Sequence, residues 1–345
     1  MQILRVFILL ITLPAFGQYQ LGASVFSGFE QCVSAKSASV GRRYFALPSG
    51  DFSCTFDQPA LLDPKMKGAL HSTLGLLPSG SNFGALGTVI QTKFGTLAPT
   101  LKYINYGSFT ETNSIGTVQG TFNALDYQLG VSYAYAPNPN FRLGAQLNLL
   151  GSQLERYAAF GVGANFSALV IHPNQLFCAA VGLRNFGFVF KNYTTNSKAN
   201  LPLDTYIALS YKLAHAPFRF HLVGHSLNNP NNIWLDPNAQ PTYDPLTGDT
   251  IPIYTPNLGE KIANHLQFQL ELVPKGAFQM RLGFDYNRRQ QLKLNDFPGL
   301  AGFSLGTSLK IKRFDLDYAV QFYSKAGTIH CLGLSTDLNR WKKKI

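Results

Sequence analysis

His265-Leu-Gln-Phe-Gln-Leu-Glu-Leu272 sets Leu266, Phe268, Leu270 and Leu272 on one face of an extended chain and Gln267, Gln269 and Glu271 on the other. A side-chain period of two means a β-strand. After Pro274-Lys-Gly276 the alternation resumes, with Phe278, Met280, Leu282, Phe284 and Tyr286 opposed to Gln279, Arg281, Gly283, Asp285 and Asn287. About fourteen such segments fill 68–338. In a soluble sandwich the polar phase meets bulk water, whereas in a membrane barrel it lines the lumen and the apolar phase meets lipid. Alternation is common to both, so the links between segments have to decide.

Those links follow a parity. Tight turns fall at 91–95, 137–140, 172–174, 215–217, 274–276 and 312–314, the first five built on Pro, Gly or Asn. Between them lie longer links at 107–124, 151–161, 190–203, 228–264 and 288–299, with short ones at 77–81 and 324–327. Tight periplasmic turns alternating with longer outward loops, and an even strand number, are the signature of a bacterial outer-membrane barrel with both ends in the periplasm. The sequence therefore predicts an all-β, antiparallel up-and-down barrel over 68–338, followed by a basic tail at 339–345.

The chain starts with Arg5, an apolar run over 6–13 and Pro14-Ala-Phe-Gly17. This is the charged, apolar and small-residue order of a secretory signal, 1–17, and the run is too short for the ~20 residues of a spanning helix. Residues 18–67 carry small-residue and Pro/Gly stretches, such as 34–39 and 45–50, without the period of two. They are expected to form a plug in the barrel mouth, because a lumen of about fourteen strands is too wide for wall side chains alone. Aromatic residues make up 13% of the chain, with 27 Phe and 16 Tyr, which suits interfacial girdles.

The formal charge is +11, and losing Arg5 with the signal leaves 11 − 1 = +10. A basic exported protein expects an acidic partner, and in this compartment lipopolysaccharide or membrane lipid fits better than nucleic acid. Cys32 and Cys54 are candidates for a disulfide in an oxidising compartment, while Cys178 and Cys331 lie on polar phases among small neighbours and read as lumen packing. Lys310, Lys312, Asp315 and Asp317 fall on polar phases on either side of a tight turn. They read as a cross-strand ion-pair ladder in the lumen rather than a channel filter. Trp234 in the longest loop, and Arg288, Arg289 and Lys293 beside 288–299, are the candidate partner-binding residues, since aromatic and arginine side chains anchor interfaces.

No catalytic constellation is visible. His221 and His225 share a polar phase without Cys or Glu at ligand spacing, and there is no Gly-Xaa-Ser-Xaa-Gly elbow, phosphate loop or dinucleotide fingerprint. The sequence is read as non-enzymatic and without a cofactor.

An ordered set of short stretches resembles the PorQ family of the type IX secretion system of Bacteroidetes, itself similar to the PorV and long-chain fatty acid transporter barrels. The stretches are Ser37-Ala-Ser-Val-Gly41, Pro59-Ala-Leu-Leu62, Tyr103-Ile-Asn-Tyr-Gly107, Ser152-Gln-Leu-Glu155, His215-Ala-Pro-Phe-Arg-Phe220, Asn287-Arg-Arg-Gln290 and Gly299-Leu-Ala-Gly-Phe-Ser304. The resemblance implies a scaffold that anchors a PorZ-like protein, working with PorU- and PorV-like proteins to attach cargo to anionic lipopolysaccharide at the surface. The alternative it implies is a transporter of a hydrophobic small molecule, which requires an apolar pocket in a lumen whose wall reads as polar.

Overall fold

The computed structural model describes residues 26–30, 33–48, 51–93, 95–195, 199–230, 232–233, 240–243, 246–273, 276–293, 299–324 and 327–341. The expected signal segment, Cys32, Trp234 and most of the basic tail lie outside the described residues. Fourteen antiparallel strands close on themselves. They are β1 (Ala69–Leu76), β2 (Asn82–Thr88, resuming in register as Ile90–Thr92), β3 (Gly95–Thr112), β4 (Val118–Asn138), β5 (Phe141–Leu154), β6 (Tyr157–Ile171) and β7 (Phe177–Lys191). The second half comprises β8 (Asp204–Lys212), β9 (Phe218–Gly224), β10 (Leu266–Leu272), β11 (Phe278–Asp285), β12 (Phe303–Ile311), β13 (Phe314–Ser324) and β14 (Gly327–Asp337). Each strand pairs with its sequence neighbours, and β1 also pairs with β14 from Ala69↔Asp337 to Leu76↔His330, which closes the ring. Among the described residues no helix is long and apolar enough to cross a membrane.

The alternation resolves as a lumen and a lipid face. On β10, Gln267, Gln269 and Glu271 are buried inside the ring, whereas Phe268 is 50% exposed outside it. The same outward exposure recurs around the barrel, at 58% for Leu147, 62% for Phe188 and 43% for Leu282, an apolar band that only lipid or detergent would cover. Several wall glycines lie beneath a neighbouring aromatic ring, as Gly151 does beneath Tyr127 and Gly84 beneath Tyr103. The ring covers the surface that the missing side chain leaves bare.

The turn parity holds, but two links are much shorter than the sequence predicts. The strands flanking 107–124 run on to Thr112 and from Val118, and those flanking 151–161 meet in a turn of Glu155 and Arg156. Glycines taken as strand ends cause the difference. Gly107 instead sits at a bulge with φ +94, and Gly151 stays within the ladder. At 18 and 21 residues, β3 and β4 greatly exceed the ~10 residues that span a bilayer, so their hairpin projects beyond the wall. In the opposite sense, β11 ends at Asp285 rather than continuing through Tyr286. The Asp285 side chain accepts from the Arg288 N–H and starts a short helix, Tyr286–Leu292.

Candidate functional site

Residues 33–48 and 51–62 lie in the lumen and are almost wholly buried there. A one-turn helix, α1 (Ala35–Ser39), opens with the Ser34 hydroxyl accepting from the Ser37 N–H and ends at Gly41, whose φ of +88 turns the chain away. A segment with so little secondary structure leaves backbone carbonyls without partners, and wall glutamines supply them. Gln321 donates to the Ala38 carbonyl at 2.9 Å, and Gln267 and Gln269 donate to those of Val40 and Arg43. The plug also lies flush against the wall where the wall has no side chain. A Cβ at Gly144 would overlap the backbone of Pro59 and Ala60, and one at Gly283 would overlap the Val40 carbonyl group.

Charges fasten the plug. Asp57 of the plug receives Lys102 of β3 at 2.9 Å and Arg184 of β7 at 3.3 Å. Arg184 reaches Asp204 of β8 at 3.6 Å, and Asp204 in turn meets Arg43 of the plug at 3.4 Å. Arg43 and Arg42 converge on Asp285 at 3.8 and 3.9 Å. The chain of charges thus crosses the lumen from β3 to β11. Lys36 bridges Asp51 within the plug and Asp317 on β13 at 3.7 Å, and Arg142 of β5 holds Asp63 at 2.5 Å. Burial alone would raise the Asp57 carboxyl, but Lys102 and Arg184 outweigh it and hold the group below the usual carboxylate range. Burial pushes the Cys54 thiol up to about 12, so it stays protonated and inert; it is a free thiol in the described structure.

The lumen changes character along its height. Toward the tight-turn end the inward phase is polar, as in Gln146 and Asn148 on β5 or Thr100 and Lys102 on β3. One step nearer the loops the same phases become apolar, at Leu150 and Ile104, joined by Phe83 and Ile329. Phe26 and Phe29, stacked with centroids 6.3 Å apart, fill the space between them, with Tyr106, Tyr193 and Tyr323 around the edge. This apolar layer sits directly beneath the loop-side mouth. Its signal was present in the sequence as a large apolar residue breaking the polar phase near the outward end of several strands.

The residues singled out from the sequence fare unequally. Arg288 is buried in the mouth, where its guanidinium donates to Gln321 at 3.1 Å and lies 5.6 Å over the Tyr323 ring, so it faces the lumen and not a surface partner. Arg289 holds its own loop, donating to the Gly299 and Ala301 carbonyls, and Lys293 caps the helix at half exposure. The ladder expected from Lys310, Lys312, Asp315 and Asp317 needs correcting. Lys310 is opposite Asp315 in register, but Lys310 and Lys312 lie exposed at the barrel end. Asp317 points inward, paired with Lys36 and accepting from the Ser308 hydroxyl. The plug supplies a partner that a reading across the nearest turn cannot see. His221 lies 3.8 Å from Glu271, which also receives Arg281 at 3.2 Å, an ion-pair group beside Tyr44 of the plug. Among the described residues no three His, Cys, Asp or Glu side chains are grouped to hold a metal.

No protein-family model matches the sequence, and no curated protein matches it. Solved structures do share the fold. The toluene transporter TbuX of Ralstonia pickettii superposes with a TM-score of 0.50 at 12% identity, covering 91% of this chain and all of that one. The toluene transporter TodX of Pseudomonas putida gives 0.50 at 10% identity, covering 88% of this chain and 97% of that one. At these identities the likeness establishes architecture. This chain has the fold of an outer-membrane β-barrel with a plugged lumen.

Proposed function

We propose that this protein is a gated outer-membrane passage for a hydrophobic small molecule, entered from the loop end. The observation that carries the reading is the apolar layer of Phe83, Ile104, Leu150 and Ile329 around Phe26 and Phe29, placed above a polar, plugged lumen. A pore for ions or sugars has no use for such a layer, whereas a hydrophobic molecule leaving water gains about 25 cal/mol for each Å² it buries there. The transporter alternative required an apolar pocket in the lumen, and this layer is where one would open if Phe26 and Phe29 were displaced. Two structures of the same fold being toluene transporters agrees with this reading at the level of analogy. In this orientation the loops face the surface, and the start of β1 and the end of β14 face the periplasm, as tight turns do in bacterial barrels.

The protein's own groups have simple tasks in such a passage. Phe26 and Phe29 occupy the layer until a ligand displaces them. The Asp57, Arg43 and Lys36 ion pairs then keep the plug closed against ions and water until the chain around them shifts. The anchoring role implied by the resemblance to the type IX family gains nothing from the comparisons, and one of its proposed contact residues, Arg288, is turned into the mouth.

The test is uptake by cells expressing the full chain, offered radiolabelled toluene or a long-chain fatty acid. The expected result is faster entry of one of them than in cells lacking the protein, abolished by Leu150→Asp or Ile104→Asp in barrels that still migrate as folded on unheated gels. Entry at the background rate for both, together with a stoichiometric surface protein co-purifying with the barrel, would replace this reading with the scaffold.

A further inference from the structure

The excess positive charge is not spread evenly. At the loop end Arg156 lies between Glu111 at 3.6 Å and Glu155 at 2.7 Å, and Glu260 adjoins Lys261, so opposite charges offset one another. At the tight-turn end Lys65, Lys67, Lys310, Lys312 and Arg313 are all exposed. Three of these cations belong to the turn between β12 and β13, where Asp315 faces Lys310 and Asp337 of β14 comes opposite Arg313, leaving a local balance of 3 − 2 = +1.

The turn is also built. Trp341, just past β14, donates its indole N–H to the Thr336 hydroxyl at 3.0 Å, and that hydroxyl donates to the Arg313 carbonyl at 3.0 Å. The fixed indole carries the Arg313 guanidinium 4.8 Å above its face and meets Phe314 edge-on at 5.4 Å. Below this group, Leu309, Ile311 and Phe314 are exposed on the lipid face. A stacked guanidinium keeps its N–H edges available for a phosphate, and an indole at the end of an apolar wall marks the boundary between headgroups and acyl chains.

We propose that Lys310, Lys312 and Arg313, with Trp341 beneath the arginine, form a headgroup site for an anionic phospholipid at the tight-turn end of the barrel. Cations above and an apolar wall below match a molecule with a phosphate at one end and acyl chains at the other, whereas a soluble anion would use only the upper half. The site is independent of the passage proposed above. It also assigns the tight-turn end to the phospholipid leaflet of the membrane.

Native mass spectrometry of the full chain in mild detergent, with added phosphatidylglycerol, phosphatidylcholine or lipid A, tests the proposal. Each uncompensated cation near an anionic surface is worth about fivefold in partition, so a net charge of +1 predicts retention of phosphatidylglycerol about fivefold above phosphatidylcholine. The triple variant Lys310→Gln, Lys312→Gln, Arg313→Gln is expected to lose that preference, and Trp341→Ala to weaken it. Arg156→Gln at the other end is expected to leave it unchanged. Phosphatidylglycerol retained equally by the triple variant would overturn the site. Lipid A retained more tightly than phosphatidylglycerol would overturn the assignment of leaflet, and displacement by millimolar inorganic phosphate would show a soluble anion site instead.

Discussion

The two levels of the lumen are closed by opposite means. Below the apolar layer the plug is fixed to the wall by directional contacts, in which Asp57 and Lys36 find Lys102 on β3 and Asp317 on β13, and Arg43 carries the ion pairs up to Asp204 and Asp285 at the outward ends of β8 and β11. Near the loops, Phe26 and Phe29 meet Phe83, Ile104 and Leu150 through apolar packing that has no preferred partner. Buried charges tolerate little displacement, since a shifted Asp57 carboxylate leaves the Lys102 ammonium without its counter-charge. Apolar packing accepts a substitute of similar volume at small cost. The lower level is thus suited to staying shut and the upper level to exchanging its contents.

The sharpest way to break that contrast is to remove the central carboxylate. Asp57→Asn leaves Lys102 buried without a counter-charge and should cost about 3–5 kcal/mol of plug docking. Limited proteolysis should then cut residues 51–62 while the barrel itself remains resistant. A cut no faster than in the unaltered protein would mean that the ion pairs do not hold the plug. Next in size, Gly144→Val should force the Pro59–Ala60 backbone off the wall and give the same protease pattern, whereas Gly276→Ala, where a Cβ meets nothing within 4 Å, should change neither stability nor cleavage.

Acid should separate the two levels without mutation. Asp57 is held below its unfolded value of about 3.8, so its contribution is fully present above that pH and is lost as pH falls through the lower folded value. Plug protection measured against pH should therefore decline below about pH 4, and Asp57→Asn should flatten the decline. The buried carboxylate beside the apolar level, Asp126 next to Gly28, is held by the hydroxyls of Tyr106 and Ser152 and by no cation among the described residues, so protonating it breaks no ion pair and binding of a hydrophobic fluorescent probe should persist to lower pH than plug protection does. The smallest effect belongs to the upper level: Leu150→Ala should weaken that probe by about tenfold, the equivalent of roughly 1.4 kcal/mol of lost burial, with plug cleavage unchanged.

Much of the wall was legible from the sequence because one physical rule, a period of two with one face in lipid, acts on every strand alike. Gln267 to Leu272 are assigned to faces by their alternation alone, and the tight turns other than 312–314 are placed by their Pro, Gly and Asn residues. The plug could be located but not drawn. Its residues obey no period, and its partners, such as Gln321 for the Ala38 carbonyl or Lys102 for Asp57, are set by the closed ring and lie far away in the chain. The same blindness misplaced Asp317, whose cation comes from the plug. It also misplaced Arg288, which a cap at Asp285 turns inward. The apolar layer was missed because single residues such as Ile104 and Leu150 break the phase on separate strands and become one surface only when the strands are side by side.

The pairing of β1 with β14 joins Ala69 to Asp337, nearly the full length of the barrel sequence apart. Contacts so distant form late, since the whole chain must be collected before they are worth making. The plug leads directly into β1, and its carboxylates and carbonyls look for partners on strands from β3 to β13. Its last hydrogen bonds can therefore be completed only in a ring that has already shut. A docked plug is in this sense a receipt for correct assembly, and any factor in the periplasm able to sense an undocked N-terminal segment would be sensing an unfinished barrel.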